Sequence, residues 1–255
     1  MRNTLAIAGK ELRSYFASPV AYIITGLFAI AFAFFFVNTV AWFVQRSMGM
    51  DQFGGGQPVN VNQDVIRFVL SQAAVLMLFL LPMITMRTYA EEKRSGTMEL
   101  LLTSPLTDVQ IILGKFLGAL ALYAGMLFVT ALYIGMLYKF GRPEVKPLIA
   151  AYLGLLLLGG AFISVGLFIS SLTRNQIVAA VGTFTLALML WIIDWVGDQA
   201  GPTTREIVSY LSITKHFEDF SKGVIDTKHV VYYLSFITFG LFLTAKSVDT
   251  ERWRG

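Results

Sequence analysis

Apolar residues gather along the chain into six long blocks, and polar residues are concentrated in the intervals between them. A helix that crosses a bilayer needs about 20 mostly apolar residues, each rising about 1.5 Å. Residues 20–44, 68–86, 116–138, 148–173 and 176–193 satisfy or approach that requirement. A sixth block, 230–245, is short and must borrow flanking residues, with His229 and Lys246 placed to snorkel toward the interfaces. The pattern predicts an all-α polytopic membrane protein with six transmembrane helices in a single domain, 1–255. The first 16 residues are amphipathic, and no charge occurs from Ser14 to Gln45. That uncharged run is too long for the apolar region of a cleavable signal peptide.

The intervals differ in kind. Residues 46–67 contain Gly54, Gly55, Gly56 and Pro58 and read as a flexible loop. Residues 139–147 form a short turn with two prolines, and Thr173-Arg174-Asn175 is a tight connection. The interval 194–229 is long and mixed in charge, and 205–211 and 214–223 predict short amphipathic helices at the membrane surface. The interval 87–115 reads RTYAEEKRSGTMELLLTSPLTDVQIILGK, and 86–103 has helical composition apart from Gly96. Pro105 stops that helix, and Thr107 or Asp108 caps the next. Met98, Leu101 and Leu102 fall at spacings of three and four and share a face. A charged helix ending in an apolar knob has the shape to dock into a groove on another protein. The competing reading is an ordinary solvated loop.

Within the spans, Pro82 predicts a kink that is either a gating hinge or a static bend. Asn38 is expected to hydrogen-bond another helix. Gly114 with Gly118, Gly160 with Ser164, and Gly166 with Ser170 are small-residue pairs that let helices approach within the chain.

Composition narrows the function. Charged residues make up 14% of the chain, against roughly 25% in soluble domains, so much of the surface faces something other than water. The net charge of +4 is scattered between apolar blocks, which fits membrane flanks rather than a nucleic-acid surface. There is no cysteine, which excludes disulfides, thiolate metal sites and cysteine nucleophiles. His216 and His229 make no metal-ligand pair of useful spacing, and no catalytic constellation is legible. The only place to look for a membrane enzyme is 194–226, and its acids have no recognisable spacing. No phosphate-binding Gly-rich loop is present, so ATP coupling must come from a partner. No ionisable residue lies in the middle of a span, which counts against a proton- or sodium-coupled carrier and favours a lipid-like or amphipathic cargo. Trp42, Trp191 and Trp195 sit near span ends as interfacial anchors. With both termini inside, eleven Lys and Arg lie inside and nine outside, a slight lean toward that orientation.

Glu91-Glu92, Gly96-Thr97, Glu99, Leu101-Leu102, Pro105 and Gly114-Lys115 together resemble the hallmark of ABC-2 type permeases. Ala8-Gly9-Lys10-Glu11-Leu12 and Tyr15-Phe16-Ala17-Ser18-Pro19 are also similar to that family, and look closest to the gliding-motility-associated branch. The resemblance implies an ABC-2, type V exporter-like permease fold with an N-terminal amphipathic connecting helix over 1–17. It implies a cytoplasmic coupling loop over 87–115 and an extracytoplasmic segment with short helices over 194–229. It also implies a bacterial cytoplasmic (inner) membrane protein with both termini in the cytoplasm. Its partners would be separate ABC ATPase subunits that bind ATP and magnesium, a second permease subunit, membrane lipids and an accessory protein with a periplasmic domain. No cofactor is expected in this chain. The ATPase-coupling interface would comprise Lys10, Glu11, Glu91, Glu92, Lys93, Arg94, Gly96, Thr97, Glu99, Leu101, Leu102, Pro105, Arg174 and Asn175. Pro82, Gly114 and Gly118 would serve as hinge and packing positions. A non-transporting scaffold built on the same fold stays open as an alternative.

Overall fold

A computed structural model describes residues 2–48, 60–102, 106–139, 143–199 and 210–252, with the helical backbone alone at 101–102, 194–199 and 252. The glycines at 54–56, Pro58, Pro105 and residues 205–209 of the expected outer helix lie outside the described residues. Among the described residues every regular element is helical.

Helix α1 (Arg2–Ala17) gives way to α2 (Pro19–Ser47), where the Ser18 hydroxyl caps the first turn and proline occupies the first helical position. A π-helical turn (Val61–Ile66), capped by the Asn60 side chain, feeds α3 (Arg67–Thr85). Then come α4 (Arg87–Ser95), α5 (Met98–Leu102) and α6 (Asp108–Leu137). At the start of α6, Thr107 and Gln110 form a reciprocal capping box, so Thr107 takes the cap and Asp108 opens the helix. Helices α7 (Val145–Leu172), α8 (Gln176–Gln199), α9 (Ile213–Ser221) and α10 (Thr227–Arg252) complete the order.

Six helical stretches are long and apolar enough to cross a membrane: Pro19–Ser47, Val61–Ser95, Asp108–Leu137, Val145–Leu172, Gln176–Ile193 and Thr227–Glu251. Their centres match the six apolar blocks. The third begins eight residues earlier than its apolar block, which places Lys115 inside the helix. The sixth gains its length from the polar flanks it was expected to borrow.

Two spans form the centre. In α7 72% of the apolar window is buried within the protein and in α3 61%, whereas α8 and α10 bury only 17% and turn most of their surface outward. Helices in a bilayer gain little from mutual apolar burial, so close van der Waals approach and hydrogen bonds hold them together. Helix α7 supplies the approach. A Cβ at Gly159 would overlap the Tyr123 ring, and one at Gly166 would overlap Thr85. The Tyr123 hydroxyl also donates to the Leu155 carbonyl at 2.6 Å. Pro82 lies buried within α3, which continues through it to Thr85.

Asn38 corrects one expectation. Its amide donates to the Phe34 carbonyl of its own helix at 2.7 Å, and the residue is exposed. A short polar side chain on a helix reaches the carbonyl four residues back, so Asn38 is satisfied locally rather than by another helix.

The loops segregate to two ends. At one end, α1, α4, α5, the start of α6, the 173–175 turn and the end of α10 meet. At the other, the π-turn side chain of Asn62 exchanges two 3.0 Å bonds with the Glu144 backbone, and Arg67 reaches Ser221 of α9.

Candidate functional site

The first end holds most of the residues singled out in 87–115, and its geometry begins with a helix that does not stop. Met86 keeps helical dihedrals of φ −55° and ψ −32°, so α3 runs into α4 with little change of direction. Helix α4 ends at Gly96, whose φ of 73° is left-handed and costs glycine nothing. The Thr97 hydroxyl, 3.5 Å from the Glu92 carbonyl, completes the cap. The turn at Gly96–Thr97 divides the helical composition of 86–103 into two short helices.

That division changes what the segment presents. Met98 is 6% exposed and packs into the core, whereas Leu100 is 73% exposed. The expected apolar knob therefore loses Met98 to the interior, because the turn at Gly96 re-aims α5. The side chains of Leu101 and Leu102, like Pro105, lie outside the described residues.

Lys115 is the centre of the junction. Its side chain is 1% exposed, and its Nζ donates to Glu11 Oε1 at 3.0 Å, Glu92 Oε1 at 2.7 Å and the Thr88 carbonyl at 3.0 Å. It also stands 5.1 Å from the centre of the Tyr89 ring. All three ammonium protons have an acceptor, which is the condition under which a buried charge is tolerated. One cation thereby joins α1, α4 and α6. Close packing brings the partners into range: a Cβ on Gly114 would fall 2.6 Å from Ile7 Cβ, and one on Gly118 would fall 2.7 Å from Glu11 Cβ. The spacing of Gly114 and Gly118 thus seats α1 against α6.

Further bonds fix α4 from other directions. The Ser170 hydroxyl of α7 donates to the Met86 carbonyl at 3.0 Å and accepts from the Tyr89 and Ala90 amides, each at 3.1 Å. It caps α4 from a neighbouring helix. Tyr15 of α1 lies 3.2 Å from Thr88 Oγ1, and burial pushes its phenol well above the usual tyrosine range, so it stays neutral. Arg87 forks onto Glu91 and reaches the Ser18 cap at 3.0 Å. Lys93 meets Glu251 near the end of α10 at 2.6 Å.

The residues expected to face a partner thus divide. Glu11, Glu92 and Lys93 are engaged inward. Lys10, Glu91, Arg94, Gly96, Thr97 and Glu99 are exposed. Lys10, Arg87, Glu91, Thr97 and Leu100 line an open cleft of about 600 Å³ between α1, α4 and α5. In the 173–175 turn, Arg174 is exposed, while Asn175 accepts from the Ile177 amide at 2.9 Å and caps α8. Sequence reasoning missed Ser170 as a cap and Lys115 as a buried tie. The earlier helix start at Thr107, had it been extended through Gly114, was the available signal for Lys115.

Comparison with known proteins identifies the family. The family model described as ABC-2 family transporter protein matches residues 5–245. "Probable multidrug ABC transporter permease YbhR" of Escherichia coli strain K12 is 29% identical over 168 residues, covering 65% of this chain and 45% of the relative. The protein of the same name from Escherichia coli O157:H7 matches to the same extent. The aligned part therefore spans less than half the length of these curated relatives.

Proposed function

The chain belongs to the ABC-2 transporter permease family, and from that premise we propose that it is the membrane subunit of an ATP-driven exporter. In this reading it sits in a bacterial cytoplasmic (inner) membrane with both termini inside, and pairs with a second permease copy or homologue. ABC ATPase subunits bind ATP and magnesium and dock on the end that carries α4 and α5. Lys10, Glu91, Arg94, Glu99 and Leu100 meet the ATPase, with Arg174 of the 173–175 turn as a second contact. The resemblance to the gliding-motility-associated branch supports a cell-envelope role. The multidrug label of the relatives supports an amphipathic cargo.

One observation carries the reading: α4 is an outward continuation of a central span, and it is fastened to α1, α6, α7 and α10 by side chains buried at their junctions. A segment fixed on so many sides moves only with the spans it is fixed to, which is what transmission of ATP-driven closure requires. Pro82, one turn before Met86, lies inside this continuous helix, and in this reading it is a static element rather than a pivot.

Single cysteines test the orientation, since the natural chain contains none. In intact cells, Arg94→Cys is expected to resist a membrane-impermeant maleimide until the membrane is opened, and Lys222→Cys to react at once. Labelling of Arg94→Cys from outside would place the lever beyond the reach of any cytoplasmic ATPase and end the proposal.

A further inference from the structure

The end of the bundle opposite the lever holds both histidines of the chain. Ser212 caps α9 through the Lys215 amide and sets His216 in its first turns. Asp226 accepts from the Lys228 amide at 2.9 Å and starts α10 just ahead of His229. Each residue is 5% exposed. The two rings meet edge to face at 4.9 Å, and His216 stacks on Tyr232 with centroids 3.7 Å apart.

Four nitrogens and their partners constrain the protons. His216 Nε2 lies 3.0 Å from the Tyr210 carbonyl, which only accepts, so this nitrogen carries a hydrogen. His229 Nε2 lies 2.8 Å from the Asp219 carboxylate, so it carries one as well. A neutral imidazole has a single N–H. Two neutral rings would then aim bare lone pairs at each other across the 2.6 Å between their Nδ1 atoms. Two doubly protonated rings would aim hydrogens at each other. With Asp219 ionised, only one arrangement makes every contact attractive: a hydrogen on each Nε2 and a third shared between the two Nδ1 atoms.

We infer that His216 and His229 form a proton-binding site that holds a single proton between their Nδ1 atoms, with Asp219 as its counter-charge. The ligand is a proton rather than a metal ion, since the gap between the nitrogens leaves no room for a cation bonded to both. Burial is the main influence holding His216 below the usual histidine range. Nearby His229 and Lys228 push it the same way, and the Tyr210 carbonyl and Asp219 oppose them. His216 is accordingly the neutral acceptor, and a second proton is resisted.

The surrounding charges come from several elements. On α9 and its C-cap they are Lys215, Glu218, Asp219 and Lys222; on α10 and its N-cap they are Lys228 and Asp226; from α3, Arg67 pairs with Glu218. Tyr210 and Tyr232 supply the nearest phenols. Helix α7 meets the other face of α9 through Gly154 against Phe220. A cleft lined by Tyr210, Lys215, Glu218, Asp219 and Lys228 opens the pair to solvent, and the half-exposed Asp219 is the outlet for the proton. The shared proton fastens α9 to α10. Losing it in base, or gaining a second in acid, places like against like and unfastens them.

The test is independent of any ATPase or cargo. The full chain, purified through a tag without histidine and placed in nanodiscs, is labelled with ¹⁵N in its histidine rings, so every imidazole signal reports this pair. At neutral pH three of four ring nitrogens should bear protons, with one strongly deshielded proton correlated to both Nδ1 nuclei. Titration should show two steps separated by more than about one pH unit. Asp219→Asn should move the alkaline step to lower pH, and His216→Gln should leave one ring titrating in a single step. Two rings titrating independently, or two neutral rings at neutral pH with no proton common to both, would overturn the assignment.

Discussion

Lys115 Nζ stands 2.7 Å from Glu92 Oε1, and this bond fastens the second turn of α6 to the inner side of α4. Because the lysine also holds Glu11, removing it leaves two carboxylates in a site built for a cation, with only the exposed Lys10, 3.6 Å from each, as counter-charge. Breaking one partner out of a buried ion pair costs about 3–5 kcal/mol, while replacing the whole group by neutral residues is far cheaper. Lys115→Met should therefore lower the thermal midpoint of the detergent-solubilised protein sharply. The triple variant Lys115→Met, Glu11→Gln, Glu92→Gln should recover much of the loss. A single variant as stable as the natural chain would show that the cluster is not buried as described.

The seat of α1 on α6 makes a paired prediction. Gly118→Ala drives a methyl into Glu11 Cβ, 2.7 Å away, and overpacking of this kind costs about 1–3 kcal/mol. Gly9→Ala, on the open side of α1 with nothing within 4 Å, should instead stabilise by up to about 1 kcal/mol through helix propensity. Amide exchange across residues 2–17 reads both. Similar protection in the two variants would contradict the packing.

Met98 and Leu100 separate folding from docking. Met98→Ala should cost about 2–5 kcal/mol, as large-to-small changes in a packed interior do. Leu100→Asp, at a position 73% exposed, should leave stability unchanged and reduce co-purification with the ATPase subunit several-fold. Retention of a full complement of ATPase by Leu100→Asp would remove α5 from the interface.

Acid should loosen the end that carries α9. Lys222 holds the Glu218 carboxyl below its usual range, and the Lys228 amide does the same for Asp226. Groups with lowered values contribute stability that is present above the ordinary carboxylate range near pH 4 and is lost as pH falls through the depressed values. His216, also lowered, behaves alike one step higher: the advantage of its resisting a second proton is present at neutral pH and declines below about pH 6.5. Limited proteolysis between α9 and α10 should therefore begin to quicken as pH falls below about 6.5 and quicken further below about 4, before the spans themselves melt. An unchanged cleavage rate across that range would refute the reading.

The spans were legible because a bilayer demands long apolar runs, and nothing else in a chain imitates them. The cap at Thr107 was legible as one of two neighbouring candidates, since threonine acts on its immediate neighbours, whereas the break at Gly96 was not, and the helical composition carried the helix on toward Pro105. Met98 was misread because a single left-handed residue rotates everything after it, and spacing alone assumes an unbroken helix. Lys115, Ser170 and the His216–His229 pair escaped for a common reason. Each acts on a residue 13 to 104 positions away, and nothing local marks the partner. Asn38 erred the other way: its acceptor was one turn off in its own helix.

The uninterrupted passage of α3 into α4 has a wider consequence. The stretch Val61–Ser95 is 35 residues, about 50 Å of helix, with the lysine junction near one tip and Arg67 bonded to α9 near the other. A strut of that kind has no slack joint in which a displacement is absorbed. If an ATPase docks on α4 as proposed, tilting the strut there swings the far tip in the opposite sense, so both faces of the membrane feel the same stroke at once.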